Sequence, residues 1–150
     1  MAQSLSQILL HVIFSTKDRE PIIPAELQDE LYRYLASACD AHGSHAYRIG
    51  GMRDHVHIIC TLPRTVTVSK LLEEIKKSSS KWIKERDRRC AGFAWQGGYG
   101  AFSLGQSQLD AVIQYTERQK EHHAKRTFKE EFVEFLRKYK VAYDERYVWS

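Results

Sequence analysis

A chain of 150 residues with 43% apolar and 28% charged side chains has the make-up of one soluble globular domain rather than a disordered or membrane protein. Its net charge of +4 suits a polyanionic partner and a partnerless enzyme equally, so the total selects neither. Three scattered cysteines, Cys39, Cys60 and Cys90, form no CxxC pair and are odd in number, which points to reduced thiols and a cytoplasmic setting.

Residues 7–15 alternate Ile8, Leu10, Val12 and Phe14 with Gln7, Leu9, His11 and Ile13, the pattern of a strand with one strongly apolar face. The run 8–14 is too short to span a bilayer and has neither a basic leader nor a small-residue cleavage site, so no signal peptide and no anchor are expected. A charged loop, Lys17-Asp18-Arg19-Glu20, leaves the strand. Pro24 opens a helix on which Leu27, Leu31, Tyr34, Leu35 and Ala38 recur at helical spacing until Gly43 ends it. Residues 46–49 form a short strand, and Gly50-Gly51-Met52-Arg53 a tight turn into the strand that starts near Asp54. Beyond Pro63, Val68, Leu71, Leu72, Ile75, Ser79, Trp82 and Ile83 mark one face of a long helix reaching Glu85. Lys76, Lys77, Lys81 and Lys84 occupy its other face. Residues 93–95 and 99–104 read as aromatic-rich strands separated by Gly97-Gly98 and closed by Gly105.

The order strand-helix-strand-strand-helix-strand predicts an α+β fold of the ferredoxin-like, RRM-like split βαβ kind, in one domain spanning residues 1–150. Its antiparallel sheet carries the two helices on one face and leaves the other free. Two further helices follow. Ser107 with Asp110 caps the first, whose packing stripe is Leu109, Val112, Ile113 and Thr116. Thr127 with Glu130 caps the second, defined by Phe128, Phe132, Phe135, Leu136 and Tyr139. The tail from Tyr143 to Trp149 is too aromatic to hang loose.

The chemistry concentrates in Asp54-His55-Val56-His57-Ile58-Ile59-Cys60. On a strand, His55 and His57 project from one face, about 7 Å apart, while Val56, Ile58 and Cys60 project from the other. Two imidazoles so placed can share a metal ion. If the apolar set faces the helices, the histidines fall on the free face, which His11 shares by the same parity. Downstream, Tyr115 and Gln119 lie off the packing stripe, one turn apart along the same helix edge.

A strand-borne HxH followed by a helix with Tyr-x3-Gln resembles the single-tyrosine HUH transposases of the insertion-sequence 200/605 group. The likeness runs through HVIFSTKDRE, GGMRDHVHII, KKSSSKWI, WQGGYGAFS, YTERQKEHH and the closing YVW. It implies a DNA transposase that cleaves and rejoins single-stranded DNA at hairpin-containing element ends. Carried over by that resemblance, the expected nucleophile is Tyr115, the expected metal ligands are His55, His57 and Gln119, and the expected intermediate is a 5′-phosphotyrosine. It also implies Mg²⁺ or Mn²⁺ and a homodimer in which the Tyr115 helix serves the partner's histidines; Gly105, between sheet and helix, is a hinge candidate for such a swap. Neutral imidazoles and an amide oxygen leave the ion's charge undiminished for phosphate binding.

His122 and His123 stand three and four residues beyond Gln119, within reach of the same ion, although paired histidines are as readily a polar surface. Lys76, Lys77, Lys81 and Lys84, with Lys17 and Arg19, are candidate DNA-phosphate contacts or plain wet surface. Trp95, Tyr99 and Phe102 read as sheet core in preference to platforms for unpaired bases. Two other classes compete: a non-catalytic RRM-like binder of single strands, disfavoured by histidines on the face where stacking residues belong, and a zinc hydrolase, disfavoured by the lack of a carboxylate base near the pair.

Overall fold

Strand β1 (Leu9–Ser15) is buried along its whole length, which requires cover on both faces of its sheet. The computed structural model, describing residues 2–149, supplies that cover. Around β1 are arranged β2 (Ala46–Met52), β3 (His55–Thr61) and β4 (Gly100–Leu104), all antiparallel, in the order β2-β3-β1-β4. The first face lies under α1 (Gln28–Ala41) and α2 (Val68–Arg86). Leu10, Val12 and Phe14 of β1 and Val56, Ile58 and Cys60 of β3 meet Leu31, Leu35, Leu71, Leu72, Ile75 and Ile83 there. Alternation along a strand dictates the rest: Leu9, His11, Ile13, His55, His57 and Ile59 turn to the second face.

That second face is not free, as the pattern of strands and helices alone suggested. Three C-terminal helices close it: α3 (Leu109–Glu117), α4 (Gln119–His123) and α5 (Phe128–Lys138). Leu109 packs with Leu9, Ile59 and Leu104, and Val112 and Ile113 lie against that group. Ile13 and Phe102 meet Phe128 and Leu136, with Phe132, Phe135 and Tyr139 around them. The cause is hydrophobic. Leu9, Ile13 and Ile59 need burial, and α5 carries an aromatic stripe with no other partner. The tail joins in, Tyr143 and Val148 packing on the same cluster. No described helix is long and apolar enough to cross a membrane.

Three local expectations change. Gly50, Gly51 and Met52 belong to β2, and the hairpin turns at Arg53 and Asp54. These glycines serve close approach: a Cβ on Gly50 would lie 2.4 Å from the Thr116 carbonyl oxygen of α3, and one on Gly51 2.2 Å from that of His55. Residues 93–95 form no strand and, among the described residues, make one isolated β-bridge, Thr16–Trp95, because Trp95 is a plug. Its ring meets Phe14 and Phe93 edge-on and its indole N–H donates to Ser79 Oγ at 3.0 Å. Ser107 sits inside a 3-10 turn, Gln106–Gln108, in which Gln108 Oε1 accepts the Gly105 N–H at 2.8 Å, so α3 starts only at Leu109. The Thr127–Glu130 capping box of α5 forms as expected.

Gly50 is therefore the point where sheet and α3 meet backbone to backbone. Gly50→Ala is expected to lower stability by about 1–3 kcal/mol through overpacking, read as a reduced urea midpoint. An unchanged midpoint would show that α3 does not press on β2 there.

Candidate active site

His55 and His57 reach the second face because Val56, Ile58 and Cys60 are claimed by the first, and both are fully buried. In the β1–β3 register, Ser15 faces His55, Ile13 faces His57 and His11 faces Ile59. His11 Nε2 stands 2.8 Å from His57 Nδ1 and the rings stack with centroids 5.1 Å apart. On the other side, α3 ends at Arg118, whose backbone (φ −100°, ψ 27°) leaves the helix, and Gln119 opens α4. Gln119 is buried, and its Oε1 lies 3.1 Å from His55 Nε2 and 3.0 Å from His123 Nε2. His122 does not join this group. Its ring stacks on Tyr115, centroids 4.1 Å apart.

The centre of the cluster is Glu131, which sequence reasoning missed. It is fully buried on α5. Its Oε1 accepts from His57 Nε2 at 2.9 Å and lies 3.3 Å from His123 Nε2 and 3.5 Å from His55 Nε2. Its Oε2 accepts from the Tyr115 hydroxyl and from Gln119 Nε2 at 3.3 Å. Arg126 Nη2 donates to the same phenol oxygen at 2.7 Å. A signal was available. Glu131 falls three residues after Phe128 and four before Phe135, so it lies within the apolar stripe of α5, where an unpaired carboxylate is too costly to bury.

The electrostatics follow from these contacts. Burial works against Glu131 ionising, yet the imidazoles of His123, His55 and His57 hold its carboxyl well below the usual carboxylate range. Burial also opposes protonation of His55, but hydrogen bonds to Asp54 and Glu131 outweigh it and carry His55 up to about 9. His57 moves down, burial exceeding the pull of Glu131, and His11 moves down through burial and its neighbour His57. The Tyr115 phenol is raised, by burial first and by Glu131 second, with Arg126 opposing.

The donor set fits a divalent ion. One atom each from His55, His57, His123 and Glu131 lie within 4.8 Å of one another, and Gln119 Oε1 adjoins them. Separations of 2.9 to 3.5 Å resemble the edges of a coordination shell with bonds of about 2.0–2.2 Å. Outer partners are in place too. Asp54 Oδ1 accepts from His55 Nδ1 at 2.7 Å, and His11 meets His57 Nδ1, leaving both Nε2 atoms aimed inward. Compared with the neutral trio His55, His57 and Gln119, this set adds a carboxylate. Asp54→Asn is expected to weaken Mn²⁺ binding about 10–100-fold, measured by calorimetry. Unchanged affinity would place the ion away from His55.

The basic candidates separate. Lys77, Lys81 and Lys84 are exposed on α2, and Lys17 is exposed beyond β1. Lys76 is not part of a wet face: its Nζ donates to the Gln96 carbonyl at 3.0 Å and to that of Gly98, over the ring of Phe14, and burial lowers it to about 8. It pins the 96–98 loop instead of presenting charge outward. Arg19 is half-buried, donating to the Trp149 carbonyl at 3.3 Å. Trp95 and Phe102 are core, whereas Tyr99 is 42% exposed.

One chain thus brings Tyr115 to its own histidines, with the His57 and Tyr115 ring centroids 6.2 Å apart. No curated protein matches the sequence. Among solved structures, a transposase candidate from Deinococcus radiodurans R1 matches with a TM-score of 0.60 at 19% identity, over 77% of this chain and 93% of that one. A REP-associated tyrosine transposase bound to a REP hairpin matches with a TM-score of 0.59 at 14% identity, over 82% of this chain and 74% of that one. Both likenesses are of fold. The family described as "Transposase IS200 like" matches residues 4–119, from the segment before β1 to Gln119, and the chain belongs to that family of DNA transposases.

Proposed function

We propose that this transposase cuts and rejoins single-stranded DNA with Tyr115 as nucleophile, in a site completed within one chain. The observation that carries the reading is the convergence on Glu131, whose one carboxylate oxygen meets the histidines and whose other meets the Tyr115 hydroxyl. His55, His57, His123, Gln119 and Glu131 would hold one divalent ion, Mg²⁺ or Mn²⁺. When bound, the ion neutralises the non-bridging oxygens of a phosphodiester and orients it for in-line attack. Glu131 accepts the phenolic proton as the Tyr115 oxygen attacks phosphorus and passes it on to the 3′ oxygen of the broken strand as that oxygen leaves, so the carboxylate is regenerated. Arg126 offsets the negative charge on the phenol oxygen. A 5′-phosphotyrosine and a free 3′-OH result, so rejoining needs no external energy source.

Excising a segment requires two ends, hence two such chains working as a homodimer on hairpin-containing ends. Residues 1–150 act as one transposase unit. The reading as an RRM-like binder fares worse, since its sheet would need an exposed face and here both are covered. A zinc hydrolase now has its carboxylate, but one oxygen of Glu131 is engaged by the Tyr115 phenol.

The test is incubation with labelled single-stranded and duplex DNA in Mg²⁺ or Mn²⁺, followed by mass spectrometry. The expected product is a peptide carrying Tyr115 joined to a 5′-phosphate, formed from single strands only. Mixing a His57→Ala chain with a Tyr115→Phe chain should give no adduct; recovery of activity would mean that the tyrosine acts in trans.

A further inference from the structure

A concavity of about 540 Å³ adjoins the candidate active site, and the chemistry of Tyr115 leaves it without a role. It lies between the end of β1, the glycine-rich loop before β4, and the C-terminal tail. Phe128 is the shared wall: its ring stacks on His55, centroids 4.5 Å apart, and also lines the concavity. Ser15, another lining residue, is the cross-strand neighbour of His55. Whatever enters is therefore one aromatic ring away from the site where phosphate chemistry takes place.

The lining is of a particular kind. Tyr99 and Tyr147 are 42% and 65% exposed, large values for rings that face a concavity, and Trp149 lies beside them. Gly97 and Gly98 form an open backbone edge where an added Cβ would meet nothing within 4 Å. Lys76 fastens that loop from behind through the Gln96 and Gly98 carbonyls. The cations Arg19 and Lys129 lie over the Trp149 ring, at 5.6 and 5.2 Å from its centroid, and no carboxylate is among the described lining residues. Arg19 is held there at a cost. Asp18 and Arg19 are consecutive non-glycine residues with φ of +55° and +57°, and the turn is secured by buried Thr16, whose hydroxyl donates to the Glu20 carbonyl at 2.6 Å.

Flat aromatic faces, bare main-chain polar groups and a cationic rim match a planar heterocycle attached to a phosphate chain. A base within a duplex is stacked on both sides and cannot present itself to such a recess, whereas an unpaired one can. We propose that this concavity holds one unpaired nucleobase flanking the scissile phosphate and so sets where along a strand the enzyme cuts. The inference rests on the single-strand reading given under Proposed function.

The test uses a single strand that the enzyme cleaves, prepared as a series with one abasic site at each successive position, together with the Tyr99→Ala chain. Tyr99 is a surface residue, so the fold should persist, which circular dichroism checks. One abasic position beside the cleavage point should weaken binding to the wild-type chain about 5–150-fold, and that penalty should largely vanish in Tyr99→Ala. A 5-iodouracil at the same position should photocross-link to peptides containing Tyr99, Tyr147 or Trp149. Normal Tyr115 adducts combined with an abasic penalty that Tyr99→Ala leaves intact, or with cross-links only to other peptides, would overturn the base site and spare the cleavage mechanism. Neither binding nor cleavage of any single strand would overturn both.

Discussion

Replacing Glu131 by alanine is expected to abolish the covalent adduct and to lower stability by about 3–5 kcal/mol, the usual range when one partner of a buried charged group is removed. The size follows from what the carboxylate satisfies. His57 donates to it, His55 and His123 stand within 3.5 Å of it, and the Tyr115 hydroxyl and Gln119 amide donate to its second oxygen. Alanine would leave those donors buried and unpaired and would open a cavity beneath α5. Glu131→Gln separates the two losses, since the amide keeps the volume and some hydrogen bonds but carries no charge. It should recover much of the stability while adduct formation stays low and Mn²⁺ no longer raises the melting temperature. An adduct formed at wild-type rate by either variant would remove Glu131 from the chemistry.

The Tyr115→Phe chain should retain the fold and lose adduct formation by at least about 10⁴-fold, as expected when a nucleophile is deleted. Phenylalanine keeps the ring stacked on His122 and near Phe135 but removes the oxygen shared by Glu131 and Arg126. A stability loss of about 1–3 kcal/mol is expected, because a carboxylate oxygen loses one of its donors. Mn²⁺ binding should survive, as Tyr115 is not among the converging donors. Adduct on another of the eight tyrosines, or cleavage that proceeds without any adduct, would replace the phenol with activated water.

Much of the sheet could be read in advance because strand alternation is a local property. Val56, Ile58 and Cys60 against His55 and His57 specified two faces of β3, and the amphipathic stripes of α1 and α2 said which apolar set they cover. The assumption that the histidine face stays open failed for a non-local reason. Nothing near residue 55 reveals that a helix starting at Phe128 will lie across it. Glu131 was overlooked for a related cause: its partners lie 8 to 76 positions away, so no short motif contains it. The family match stops at Gln119, twelve residues short of it. Tyr115 and Gln119 were singled out on the expectation of one continuous helix, whereas α3 stops at Glu117 and Gln119 opens α4; Lys76 was misread because a helical wheel does not show that a loop folds over the lysine.

The parts of the site are spread along the chain from His11 on the first strand to Glu131 on the last helix, and this ordering has a consequence for biosynthesis. Chains emerge from the ribosome amino end first, at about 5–20 residues per second. The strands and the tyrosine helix are therefore available before the carboxylate that joins phenol to imidazoles has been made. A chain interrupted before α5 has all four strands, α1 and α2 but not Glu131. On the proposed mechanism, a message truncated before α5 would yield a protein without the carboxylate that joins the Tyr115 phenol to the imidazoles.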